Sequence, residues 1–165
     1  MKLIVSDASP LIVIAKTGLV PVLNGMVEEV IIPETVYAEC TLNLALPGAK
    51  AVRAAVEAGQ IQAQSDVARS GADPDEGLTG LDAGELAAIH LALALQCPVL
   101  MDERLGRQVA RRRGLTVIGS AGLLLGAKQR GLVPAVAPIL DQWRQSGYFL
   151  SEAVIKAVLE RAGEA

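Results

Sequence analysis

Short β-rich runs recur along the chain at Leu3–Ser6, Val30–Ile32, Ile61–Gln64, Val99–Met101 and Thr116–Ile118. Between and beyond them, apolar residues repeat at helical spacing over about 9–17, 20–26, 33–43, 48–58, 82–96, 104–113, 120–130, 134–145 and 151–162. Strands that are apolar at nearly every position, separated by helices, predict a parallel sheet covered on both faces. The expected fold is therefore α/β, a three-layer α/β/α sandwich around a central parallel sheet of four to five strands. Local punctuation fits this division. Ser9-Pro10 reads as N-cap and first helical residue, Pro33 opens a helix, and Gly59, Gly114 and Gly131 close helices. One stretch of low hydrophobicity, 65–80, reads as a mobile surface loop, because both of its flanks contribute strands to one sheet. The division expected is a core over 1–131, with C-terminal helices over 132–165 packed on the same domain.

Composition narrows the picture. The chain has 165 residues, 52% of them hydrophobic and only 2% aromatic, so the core must be built from Ala, Leu, Val and Ile. A net charge of −3 gives no bulk positive field, and any nucleic-acid binding needs a local basic patch. Cys40 and Cys97 both sit in apolar segments without a CxxC neighbour, and read as buried free thiols of a reducing compartment. No apolar stretch reaches the roughly 18 residues of a spanning helix, and the opening run meets Asp7 too early for a signal peptide. The expectation is a soluble, cytoplasmic protein without a membrane partner.

Four acids then stand out. In open parallel sheets ligands bind beyond the carboxyl ends of the strands. Asp7, in "KLIVSDASPLIVIAK", and Asp102, in "PVLMDERLGR", both end apolar strands. Each is also a plausible N-cap or Asx turn. Glu85, in "LDAGELAAIHLALAL", completes a capping box with Asp82, yet its helix is apolar almost all round, which turns the first helical turn towards the sheet. Glu39, in "IIPETVYAEC", flanks the apolar face of its helix, whereas Glu34 points to solvent. Two like charges 4 Å apart repel by about 4 kcal/mol at an effective dielectric of 20. Four acids converging at one sheet edge therefore require a cation, and an all-oxygen donor set suits Mg²⁺ or Mn²⁺. Zinc is disfavoured, because the only histidine, His90, falls about 140° round the helix from Glu85. Asp82 and Glu103 are expected to stand outside the ligand set.

The order of these segments, "IVSDAS", "IPETVYAEC", "DAGELAAIHLA" and "LMDERLGR", resembles the PIN-domain nucleases over roughly residues 3 to 130. The acids of that family map here onto Asp7, Glu39, Glu85 and Asp102. The likeness is strongest to a bacterial and archaeal subgroup with an Asp-Glu/Asp-x-x-Gly-Arg stretch, here Asp102–Arg107, and a Gly-Ser-x-Gly stretch, here Gly119–Leu123. Many VapC-type toxins differ, carrying the fourth acid in an Asn-x-x-Asp-Phe stretch and often an aspartate where this chain has Glu85. The resemblance implies a PIN-like fold and metal-dependent hydrolysis of phosphodiester bonds, usually in RNA, by an endoribonuclease using Mg²⁺ or Mn²⁺. One setting is the toxin of a type II toxin–antitoxin pair, with an antitoxin protein as partner. The alternative is a catalytically weak PIN-like module that binds RNA or protein.

Substrate contacts are sought around the acids. Arg104, Arg107 and Arg111 fall within about 60° on one helix face directly after Asp102, a phosphate-binding stripe or a solvated face. Ser9 and Ser120 start helices beside the expected site, either as caps or as hydroxyls orienting a carboxylate. The C-terminal helices read first as core cover, with a homodimer or antitoxin surface as the alternative. Two rival enzymes fail on residue identity. A haloacid-dehalogenase phosphatase needs an acid where Ser9 stands, and a phosphoryl-accepting receiver needs a lysine that "VIGSAG" does not offer.

Overall fold

A computed structural model of the chain describes residues 1–67 and 80–165. The loop expected at 65–80 lies, over 68–79, outside the described residues. Five parallel strands, β1 (Leu3–Ser6), β2 (Glu29–Pro33), β3 (Gln62–Gln64), β4 (Val99–Leu100) and β5 (Val117–Ile118), form one sheet in the order β3-β2-β1-β4-β5. Among the described residues nine helices accompany it: α1 (Ala8–Lys16), α2 (Val20–Met26), α3 (Glu34–Cys40), α4 (Pro47–Glu57), α5 (Ala83–Leu95), α6 (Arg104–Arg112), α7 (Ser120–Gln129), α8 (Ala137–Gln145) and α9 (Glu152–Ala162).

Successive strand residues point to opposite faces. Because Ile4 and Val5, Val30 to Ile32, and Val99 and Leu100 are all buried, the sheet is covered on both sides. The α/β sandwich expected from the pattern is the fold observed. The chain winds from β1 outwards through β2 to β3, then returns to lay β4 and β5 on the other side of β1. This leaves a switch point between β1 and β4, where crossovers leave in opposite directions and a crevice opens at the strand ends. The backbone amide of Asp7 extends the ladder there, donating to the Leu100 carbonyl at 3.0 Å.

Helix boundaries differ from the sequence reading in three places, each for a local reason. Asp7, with extended backbone (φ −77°, ψ 169°), is the N-cap of α1, so the helix begins at Ala8 and Ser9 lies inside it. Pro10 is accommodated because first-turn amides have no intrahelical partner to lose. Helix α3 stops at Cys40, three residues short of the expected end. Beyond it the Thr41 hydroxyl donates to the Tyr37 carbonyl at 2.8 Å, and the Asn43 side chain accepts from the Ala45 amide at 3.1 Å. Helix α8 starts at Ala137 rather than 134, where the Glu164 carboxylate accepts from the amides of Val136 (2.8 Å) and Ala137 (2.9 Å).

The C-terminal helices are tied in by buried groups. Trp143 is fully buried, donates to the Thr17 hydroxyl at 3.0 Å, and meets the Tyr148 ring edge-on at 6.0 Å. Cys40 and Cys97 are buried and unpaired. No single helix among the described residues is long and apolar enough to cross a membrane.

Helices α1 and α4 cross at Gly48, where a Cβ would come within 2.7 Å of Ile12 Cγ2. Overpacking costs about 1–3 kcal/mol, against about 1 kcal/mol gained in helix propensity. Gly48→Ala should therefore destabilise the protein by up to about 2 kcal/mol in urea melts. In an Ile12→Ala background, which removes the clashing methyl, the same substitution should be neutral or stabilising.

Candidate active site

Asp7 is the N-cap of α1 by backbone position alone: its side chain makes no capping hydrogen bond. The carboxylate is only 5% exposed, so the helix does not explain why an acid is buried there. Burial pushes its pKa up from 3.8 to about 6. The Ala8 amide pulls the other way, while Glu39, Asp82 and Asp102 add to the rise.

Glu85 serves two masters. Its Oε1 closes the capping box of α5, accepting from the Asp82 amide at 3.4 Å, while its own amide donates to Asp82 Oδ1 at 2.8 Å. Its Oε2 is buried with no hydrogen-bond partner among the described residues. That oxygen faces α6 at Gly106, where a Cβ would stand 2.8 Å from it and 2.5 Å from Met101 Sδ. A larger residue there would force the Met101 and Glu85 side-chain ends to shift. Burial, then the hydrogen bond and charge of Asp82, push the Glu85 pKa up to about 7. An orphaned carboxylate oxygen in the interior is costly unless something positive meets it.

Glu39 is exposed at the end of α3, and its Oε1 would lie 3.1 Å from a Cβ on Gly84, beside the first turn of α5. Partial burial and Asp82 raise its pKa. Asp82 thus presses on Asp7, Glu39 and Glu85 alike. Read from sequence as a cap, it caps α5 and also adds negative charge that the neighbouring acids feel. Glu103 contributes to none of these shifts and caps α6, its Oε2 accepting from the Leu105 amide at 2.9 Å.

Asp102, just past β4, is held differently. Its Oδ1 accepts from the Ser120 amide at the start of α7 (2.8 Å), and its Oδ2 accepts from the Ser120 hydroxyl (2.6 Å) and from the Tyr148 hydroxyl. Ser120 therefore orients a carboxylate, one of the two roles expected of it. Ser9 is exposed and lines a groove beside Asp102. Tyr148 was not anticipated: it lies 46 residues from Asp102 in a segment read as core cover. The one available signal was compositional, since Tyr148 and Phe149 are adjacent in a chain with four aromatic residues.

The groove, of about 1040 Å³, opens on the Asp102 side of the acids, and Arg104, Arg107, Arg111 and Arg130 line it. Arg107 is the innermost, its Nη1 donating to the Met101 carbonyl at 2.8 Å. A Cβ on Gly119 would meet that Nη1 at 2.7 Å and Asp102 Oδ1 at 3.3 Å, so glycine is what admits both groups. Burial and neighbouring Arg111 lower the Arg107 pKa, with Asp102 opposing.

Acids at the switch point of a five-stranded parallel sheet, with a basic groove alongside, match what one family profile recovers independently: a PIN domain over residues 3–164, nearly the whole chain. The chain belongs to the PIN-domain family. No curated protein matches it. PIN domains are generally nucleases and typically use divalent metals. The donor chemistry of this PIN domain fits a hard divalent cation, with oxygen donors only and an unpartnered Glu85 Oε2 among them. Among the described residues, however, no three His, Cys, Asp or Glu side chains are grouped tightly enough to hold one ion.

The raised acids carry a pH signature. Asp7 and Glu85 bind protons more tightly in the fold than in the unfolded chain, so protonation favours the fold. That advantage is complete below about pH 4 and is lost as pH rises through about 6 to 7. Glu164, held down at about 2, acts oppositely, but its effect is complete by about pH 5. In EDTA, the melting temperature should fall by roughly 2–8 °C between pH 5 and pH 8. Asp7→Asn should flatten that fall, and an unchanged slope would show that Asp7 ionises normally.

Proposed function

We propose that the protein is a metal-dependent endoribonuclease hydrolysing RNA phosphodiester bonds, with Asp7, Glu39, Glu85 and Asp102 as the acids that hold Mg²⁺ or Mn²⁺. The observation that carries this reading is the group of acids at the switch point with no cationic partner among the described residues, above all the buried Asp7 and a Glu85 Oε2 that has no hydrogen-bond partner among them. Among the described residues the ion pairs are Arg53–Glu57 and Lys128–Glu164, and neither involves these acids. A cation bound there would lower the pKa of an attacking water and neutralise the leaving oxygen. The protein's own residues do the rest. Ser120 and Tyr148 donate to Asp102 and fix its orientation. Arg104 and Arg107, with Ser9, which line one groove, would hold the phosphate that presents the scissile bond.

One setting for such an enzyme is the toxin of a type II toxin–antitoxin pair, although the third and fourth acids of this chain depart from the pattern of many VapC-type toxins. It would bring an antitoxin as partner, with a homodimer as the working form. A small adjacent reading frame for a DNA-binding domain with a hydrophobic tail, whose product co-purifies with this chain, would support it. The second reading, a catalytically weak module that binds RNA or protein, draws on the open spacing of the acids.

Single-stranded RNA should be cut in Mg²⁺ or Mn²⁺ and left intact in EDTA. Asp7→Asn or Asp102→Asn should reduce cutting by roughly 10²–10³ or more while far-ultraviolet circular dichroism is preserved. Activity that survives EDTA would contradict the metal mechanism, and binding without cutting would favour the second reading. Each phosphate neutralised on a single strand contributes about −0.7 to the slope of log affinity against log salt. Arg104→Ala with Arg107→Ala should therefore flatten that slope by up to about 1.4, and an unchanged slope would leave these arginines as a solvated face.

A further inference from the structure

Phe149 is the only phenylalanine in the chain, and its side chain is 75% exposed. The other C-terminal aromatics are used inside: Trp143 is buried and Tyr148 packs on it while binding Asp102. What distinguishes it from the other exposed apolar side chains is its place on the groove that the arginines line. Its position is fixed through its neighbour. The Tyr148 amide donates to the Trp143 carbonyl at 2.9 Å and the Tyr148 hydroxyl is tied to Asp102, which sets the backbone that presents the Phe149 ring at the groove.

The groove it borders has a volume of about 1040 Å³. Four arginines and two acids, Asp102 and Glu103, stand in a lining that is otherwise largely apolar. A groove that carries arginines and an exposed aromatic residue is a combination that binds unpaired nucleic acid: arginines follow the phosphates, and a base stacks on the ring. A duplex offers no free base face to such a ring.

We propose that Phe149 is a base-stacking platform, which takes an unpaired nucleobase flanking the phosphate held by Arg104 and Arg107 and so makes the groove select single strands over duplexes. The inference rests on the nuclease reading for the nature of the ligand, but stacking needs neither metal nor cleavage, so the two fail separately.

Binding is measured in EDTA by fluorescence anisotropy, with a labelled ten-nucleotide RNA, the same DNA sequence, a duplex of each, and an abasic oligonucleotide of equal length. Phe149→Ala should weaken binding of the base-bearing single strands roughly tenfold. It should leave the abasic strand and the salt slope unchanged, and Phe149→Trp should retain full affinity. Equal loss for RNA and DNA would locate the effect in the base, and loss for RNA alone would add a contact to the sugar. Phe149→Ala that weakens the abasic strand equally, or weakens nothing, overturns the platform. A concentration-dependent dimer dispersed by Phe149→Ala in sedimentation also overturns it, by making the ring a contact between protein chains. Phe149-dependent binding without any cutting in Mn²⁺ supports the platform while removing the nuclease reading.

Discussion

Everything about this site follows from negative charge placed where a parallel sheet changes direction. At the ends of β1 and β4 the crossovers part, and Asp7 and Asp102 sit beside that opening. Glu39 and Glu85 reach it from α3 and α5, with Asp82 pressing on three of the acids. Desolvation is the largest cause of the shift at Asp7, Glu39 and Glu85, with like charge added to it. A fold keeps such an arrangement only at a cost in stability, because ionised carboxylates lose water and repel one another. The fold spreads that cost by giving individual oxygens local work: Glu85 Oε1 closes a capping box, and Asp102 accepts from an amide and two hydroxyls.

Asp102 divides the acid group from the arginine groove. On one side lie carboxylates whose protons are held tightly; on the other, arginines line the groove, with Arg107 and Arg130 tied to backbone carbonyls. Two glycines make the division sharp. Gly106 lets α6 approach the buried Glu85 oxygen, and Gly119 lets the Arg107 guanidinium share space with Asp102. The pairing suits a reaction in which a phosphate must be gripped from one side while a water is activated from the other.

Much of this was legible from sequence because it depends on short-range pattern. Apolar strands ending in Asp7 and Asp102 announced both the parallel sheet and the acids at its edge, and Asp82-x-x-Glu85 announced a capping box that forms as expected. What the pattern could not carry was proximity across long separations. Nothing local to Tyr148 says that its hydroxyl meets Asp102, and nothing in a capping box says that Asp82 also repels Glu39. The start of α1 was misplaced for a related reason. Ser9-Pro10 has the residue types of a helix start, but the ladder bond from the Asp7 amide to Leu100 fixes the cap two residues earlier. Tertiary pairing overrode local preference there, as it commonly does at strand ends.

The claim that these acids form a cation site is tested most directly by anomalous diffraction from a crystal equilibrated with Mn²⁺. The account predicts an anomalous peak within ligand distance of Asp7 and at least one of Glu39, Glu85 and Asp102, abolished in Asp7→Asn. A crystal saturated with Mn²⁺ that shows no peak among these carboxylates would contradict it.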